Sequence, residues 1–186
     1  MAATLVAVGT PAAAQYSSKS FEFLKAVRNR DGGKASELLK SNPPNMINLK
    51  DESGNTALII VINRADQEWT GFMMQHGADI NLPGKNGDTP LIAAARVSFT
   101  EAMKWLVAAG AKVNVANRMG ETPLIVAVQQ HNTDAVRLLL RVGADPDKTD
   151  AAAGLSARDY AARDNRSRQI LQLIEAQKPK AGAPAR

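Results

Sequence analysis

An eight-residue frame recurs at an almost constant interval, and that period constrains the fold more than any other feature of the chain. Gly54-Asn55-Thr56-Ala57-Leu58-Ile59-Ile60-Val61 is followed by Gly87-Asp88-Thr89-Pro90-Leu91-Ile92-Ala93-Ala94 and then by Gly120-Glu121-Thr122-Pro123-Leu124-Ile125-Val126-Ala127. The interval is the same both times, and a degraded copy opens at Gly154, one position later than strict repetition would place it. A unit of this length holds two short helices and a turn, which cannot bury an apolar face alone. Neighbouring units must stack to close the core.

Within the frame each residue type has a local task. Thr89 and Thr122 are placed as N-caps, with Pro90 and Pro123 at the first helical position, where a missing N–H costs nothing. Leu91 and Leu124 then point into the stack, and Ala94 and Ala127 let the neighbouring helix approach. The second helices of these units carry Met103, Leu106 and Val107 or Val136, Leu139 and Leu140. Each such aliphatic side chain contributes roughly 1.5–3 kcal/mol when buried. Gly110 and Gly143 follow those helices, where a glycine of positive φ ends the helix. Aromatic residues make up only 4% of the chain, so the core is built from Ala, Leu, Ile and Val, which suits closely packed helices. The second unit differs: Trp69, Phe72, Met73 and Met74 occupy its apolar places near 68–75, with Gly71 among them. Their spacing is that of a core face, although Met and aromatic residues left exposed would favour recognition.

The outer units depart from the frame as terminal units must. Phe21 to Arg28 and Lys34 to Lys40 read as two antiparallel helices with Gly32-Gly33 in the turn, ended by Ser41-Asn42-Pro43-Pro44-Asn45. Polar residues on the outward helix mark this unit as an N-terminal cap. At the other end, Gly154-Leu155-Ser156-Ala157-Arg158-Asp159-Tyr160-Ala161 has Arg158 in place of the leucine and an extra residue among Ala151-Ala152-Ala153. A second helix near 167–177 keeps Ile170, Leu171 and Ile174, as a C-terminal cap requires. Before the units, residues 1–14 have a short apolar run and small residues at Ala12 and Ala14 that fit a cleavage site, but no basic residue precedes Lys19. They read as a signal-peptide remnant of an exported chain or as an Ala-rich disordered leader. Residues 178–186, rich in Pro, Ala and Gly, read as a disordered basic tail.

The T-P-L-x-x-A frame at a period of about 33 resembles the ankyrin repeat. The resemblance covers about 20–177 and implies an all-α solenoid of about five helix-turn-helix units with hairpin turns between them. The units are about 20–50 (cap), 51–83, 84–116, 117–149 and 150–177 (cap), within a repeat domain over 15–177. The resemblance is to a bacterial-type member, exported if the leader is a signal. Ile59, Ile92 and Ile125 stand where the family usually has His, so apolar contact is expected in place of a polar network between units. The resemblance also implies non-catalytic protein binding, with no cofactor, through hairpin tips and the exposed ends of the first helices.

The candidate partner-binding residues follow from that frame. At the tips they are Glu52, Ser53 and Asn55, then Lys85, Asn86 and Asp88, then Arg118, Met119 and Glu121; Asn55, Asp88 and Glu121 are expected to face outward. At the helix ends they are Asn63 and Arg64, Arg96, and Gln129 and Gln130, with Arg28 and Arg163 from the caps. Arg28, Arg64, Arg96 and Arg163 are expected to line one groove, suited to a partner with an acidic surface. Each also lies near a helix C-terminus, where a cation gains about 0.3–1 kcal/mol from the macrodipole. A dedicated inhibitor or stabilising subunit of one partner is an alternative within binding. A weak nucleic-acid binder using the groove and tail is another, although Lys178, Lys180 and Arg186 supply three of the net +5 and leave the body only slightly basic.

Other chemistry finds little support. His76 and His131 stand in different units, read as exposed turn residues, and the chain has no cysteine, so no metal site is expected. No glycine-rich phosphate loop occurs and no segment supplies a positioned nucleophile and base, so no catalysis is expected. No apolar run approaches the roughly 18 residues of a membrane span. Localisation is expected to be periplasmic or secreted if the leader is a signal, and cytoplasmic otherwise.

Overall fold

The computed structural model describes residues 12–41 and 45–177, with side chains from Lys19 onward. The leader up to residue 11, the two prolines of the 41–45 break and the basic tail lie outside the described residues. Helices pair in chain order: α1 (Ala12–Arg28) with α2 (Gly32–Ser41), α3 (Ala57–Asn63) with α4 (Gln67–Gln75), and α5 (Pro90–Arg96) with α6 (Thr100–Ala108). α7 (Pro123–Gln129) with α8 (Thr133–Arg141) and α9 (Ala157–Arg163) with α10 (Arg168–Glu175) complete five units. The first helices pack in succession, α1 on α3, α3 on α5, α5 on α7 and α7 on α9, while α4, α6, α8 and α10 do the same on the other side. The result is the all-α solenoid expected of the period.

The caps explain why each first helix begins where it does. Thr56, Thr89 and Thr122 are extended, and their hydroxyl oxygens accept from the backbone N–H of Ile59, Ile92 and Ile125 at 3.3 Å. Ser156 does this for α9, and Asp159 returns the bond to the Ser156 backbone, forming a capping box. The isoleucines three residues past the cap are almost fully buried, as are Leu91, Ala94, Leu124 and Ala127. Apolar contact thus occupies the space between units at this position. Gly77, Gly110 and Gly143 end α4, α6 and α8 at positive φ.

Two expectations change. Gly32 and Gly33 are not in the turn but in the first turn of α2, because Asp31 accepts from the Lys34 N–H at 2.9 Å and so caps the helix, which starts two residues earlier than expected. His131 is only half-buried rather than an exposed turn residue, since its Nδ1 lies 3.2 Å from Ser167 Oγ in the last unit. In the second unit Trp69 and Met73 are buried while Phe72 and Met74 are partly so, which makes them core filling. A Cβ at Gly71 would meet Trp105 of the next unit at 3.9 Å, an ordinary contact, so the packing does not require glycine at this position.

Candidate interaction surface

The segments between units form hairpins whose backbones are joined across the stack. The Arg118 N–H donates to the Asn86 carbonyl at 2.9 Å, and the Ala151 N–H to the Met119 carbonyl at 2.8 Å. A second set of links has the same period as the frame. Asn48, Asn81 and Asn114 each accept, through the side-chain oxygen, the backbone N–H of Asp79, Lys112 and Asp145 in the next hairpin at 2.8, 2.9 and 2.8 Å. Sequence reasoning missed these asparagines. The signal that reveals them is their own spacing, which equals that of the eight-residue frame although they lie outside it.

Each tip is also fixed from within. Asn117, only 6% exposed, accepts the N–H groups of Met119 and Glu121 at 2.9 and 3.0 Å. Its amide donates to Asp88 at 2.7 Å and to Glu121 at 2.8 Å. Asp51 holds the first hairpin through the Asn55 N–H, and Asp150 holds the last through those of Ala153 and Gly154. Burial works to raise the Asp150 carboxyl, but the Tyr160 hydroxyl at 2.6 Å and the loop amides outweigh it and hold it below the usual carboxylate range. The Tyr160 hydroxyl is raised in turn, first by donating to that carboxylate and then by burial.

The expected arginine row is mostly occupied by this protein's own acceptors. Arg28 pairs with Asp51 at 2.7 Å. Arg64 donates to the Val27 and Arg28 carbonyls, closing the C-terminus of α1 from the next unit, and pairs with Asp66 at 3.2 Å. Arg96 bridges Asp88 and Glu121 at 3.2 and 2.9 Å. Burial alone would lower the Arg96 guanidinium, but its bonds to Glu121 and Asp88 raise it, so it stays charged. Arg163 is exposed, and among the described residues no hydrogen bond or ion pair engages its side chain, although its charge helps to keep Asp159 ionised.

The tip positions divide accordingly. Asn55, Asp88 and Glu121, expected to face outward, turn inward instead: Asn55 accepts the Lys85 N–H at 3.0 Å, and the two carboxylates serve Arg96 and Asn117. Successive hairpins lie close enough for a short polar side chain to reach the next one, and that distance is set by packing elsewhere. Glu52, Ser53, Lys85, Asn86, Arg118 and Met119 are exposed, as are Asn63 and Gln130, while Gln129 is half-buried. Met119 is 43% exposed, one of the few large apolar side chains so open to water.

One cluster has the composition of a hydrolytic site. His131 lies 3.4 Å from Asp164 as well as beside Ser167. Ser167 is only 1% exposed, however, so its hydroxyl is almost wholly covered by the packing it joins, as a structural hydroxyl is rather than an accessible nucleophile. Among the described residues no group of three or more His, Asp or Glu side chains could hold a metal ion. No described helix is long and apolar enough to cross a membrane.

Comparison with known families agrees with this geometry. A family model described as ankyrin repeats in three copies matches residues 23–117, 70–150 and 98–181. No curated protein gives a significant match to the chain. The three overlapping matches run from α1 into the segment after α10, through every unit described above. The period, the Thr-anchored helix starts and the linked hairpins therefore have one source: the chain belongs to the ankyrin-repeat family, whose members are in general non-catalytic scaffolds for protein–protein interaction.

Proposed function

We propose that this chain binds a partner protein across its hairpin tips, with Met119 as the apolar anchor and Lys85 and Arg118 as the charged rim. The observation that carries this reading is the contrast around Met119. Its backbone is fixed by the buried Asn117, yet its side chain is 43% exposed. A backbone held ready in this way has little conformational freedom left to lose on binding, and a central apolar anchor inside a polar rim is the usual layout of an energetic hot spot. Acidity of the partner is supported by Lys85 and Arg118, which meet no carboxylate among the described residues, rather than by the internally bonded Arg28, Arg64 and Arg96.

The test places a photo-crosslinking amino acid at position 119, and in a second variant at position 104 on the outer face of α6, in cells that make the protein. Adducts to one partner from position 119 that are absent from position 104 support the reading, provided that excess parent chain competes them away and excess Met119→Ser chain does not. Equal labelling from both positions removes it.

A further inference from the structure

Between the hairpins before and after the third unit runs a trough of about 330 Å³, open to solvent. Its floor is apolar, formed by Pro83, Gly87, Val115 and Ala116, and Lys112 and Arg118 are its cations. Among the described residues no carboxylate lines it. Val115 is 37% exposed, and no hydrogen bond or ion pair engages the Lys112 ammonium or the Arg118 guanidinium among the described residues. On the hairpin before the last unit, by contrast, charged side chains are answered within the chain. Asp147 pairs with Arg158 at 2.7 Å and Lys148 bonds the Asn114 carbonyl at 2.9 Å.

The base of each cation is held while its head is free. The Lys112 backbone is tied to Asn81 at 2.9 Å, and the Arg118 backbone to the Asn86 carbonyl at 2.9 Å. The stem of Arg118 lies over Gly87, where an added Cβ would stand 3.2 Å from its Cγ, so the glycine makes the space the stem uses. Arg and Lys side chains bury their stems on apolar surface and keep the charge outward, which matches this arrangement. Two anchored cations around an aliphatic floor are complementary to a segment that carries carboxylates beside an aliphatic side chain.

We infer that this trough receives an acidic, aliphatic segment of the partner protein, its carboxylates meeting Lys112 and Arg118 and its aliphatic side chain covering Val115. The inference rests on the reading of the chain as a protein binder and names a second contact of that partner, on the flank of the hairpins rather than at their tips. A phosphate backbone would also answer the two cations. The trough offers it no aromatic platform for base stacking, and guanidinium and ammonium pairs to carboxylates suffice without one.

The experiment uses the full chain and a fluorescein-labelled peptide of alternating Glu and Leu, read by fluorescence anisotropy at 50 and 200 mM salt. A Gln-Leu peptide and a single-stranded oligonucleotide of equal length are the comparison probes. Binding of the Glu-Leu peptide, weakened tenfold or more by Lys112→Glu and by Arg118→Glu and by Val115→Ser, supports the inference. Lys34→Glu, on the outer face of α2, is expected to leave binding within twofold. The inference is overturned if the Gln-Leu peptide binds equally, if Lys34→Glu weakens binding as much, or if the oligonucleotide binds more tightly and loses affinity in the same variants. Crosslinking at position 119 that succeeds while the peptide does not bind leaves the tip reading standing and removes the trough alone. Circular dichroism melts within 2 °C of the parent identify the variants in which lost binding is a surface effect.

Discussion

Two glycines of nearly equal backbone conformation separate the cost of local strain from the cost of stacking. Gly110 has φ +90° and Gly120 φ +79°, and both lie in the left-handed region that alanine enters at about 1–2 kcal/mol. A Cβ at Gly110 would meet nothing within 4 Å. At Gly120 it would run into the Ala151 amide nitrogen and stand 2.9 Å from the Asp150 carbonyl carbon, all backbone of the next hairpin. Relief requires that hairpin to move, which breaks the Ala151 N–H bond to Met119. Gly110→Ala should therefore cost about 1–2 kcal/mol, and Gly120→Ala about 3–6 kcal/mol once overpacking and the lost bond are included.

Because each unit touches only its neighbours, the excess should fall on the last unit rather than on the whole stack. Guanidinium unfolding followed by circular dichroism reports all the helices, whereas tryptophan fluorescence reports only Trp69 in α4 and Trp105 in α6. In Gly110→Ala the two signals should shift together. In Gly120→Ala, helicity should be lost first while the tryptophan transition stays close to the parent, with fast amide exchange confined to α9 and α10. If the two variants cost the same within about 0.5 kcal/mol, the ordinary spread for independent surface sites, the argument from hairpin contact is wrong.

Other substitutions test separate links. Arg30, Ala65, Ser98 and His131 occupy the turn between the two helices of successive units with φ between 52° and 58°, so Ser98→Gly should stabilise by about 0.5–1 kcal/mol by denaturant midpoint. Thr89→Ala removes the oxygen that receives the Ile92 N–H and should cost about 1 kcal/mol, whereas Thr89→Ser should cost much less. Arg96→Ala leaves Asp88 and Glu121 without their shared cation and should cost about 1–2 kcal/mol, against less than about 0.5 for Arg163→Ala. Asp150 and Asp159 are held below the usual value of 3.8, so the folded state favours their ionised forms. Their stabilisation is complete above that value and lost as pH falls through the lower folded values. The last unit should open first on acidification below about pH 4, and Asp150→Asn should flatten that limb in a melting series against pH. Tyr160 has the opposite sign. Raised above 10.0, it stabilises below that pH and loses its contribution as pH rises beyond it, which absorbance at alkaline pH follows.

What could be read from the sequence was whatever depends on a few adjacent residues. A threonine followed by proline starts a helix because the cap oxygen and the missing N–H both act within one turn, and α5 and α7 begin at Pro90 and Pro123 accordingly. A glycine after an aliphatic run ends a helix for an equally local reason, and Gly110 and Gly143 do so. The serine of the last unit keeps the cap although the leucine after it has become Arg158, since capping needs only the hydroxyl. Gly32-Gly33 misled because two glycines suggest a turn, whereas the deciding residue was the Asp31 before them.

The interaction surface was less legible because its residues are assigned by distances between units, which no single unit records. Asn55, Asp88 and Glu121 occupy the variable place of the frame, and variability there suggested solvent exposure. Yet each is used as a brace, Asn55 and Asp88 by reaching the next hairpin and Glu121 by reaching back to Arg96 of the unit before, and the identity changes with what is braced: an amide for a backbone N–H, carboxylates for Arg96 and Asn117. Three of the four arginines of the row, Arg28, Arg64 and Arg96, are used within the stack for a related reason. A guanidinium at a helix end lies near the carbonyls and carboxylates of the adjacent unit, and stacking brings those acceptors within reach before any partner arrives. What escapes this internal use is a side chain whose backbone or stem rests on the neighbouring hairpin while its head meets no acceptor among the described residues, as with Lys112 and Arg118, or one left open to water, as with Met119. Function in such a chain is sought where stacking leaves a polar or apolar group unanswered, and exposure alone does not identify it.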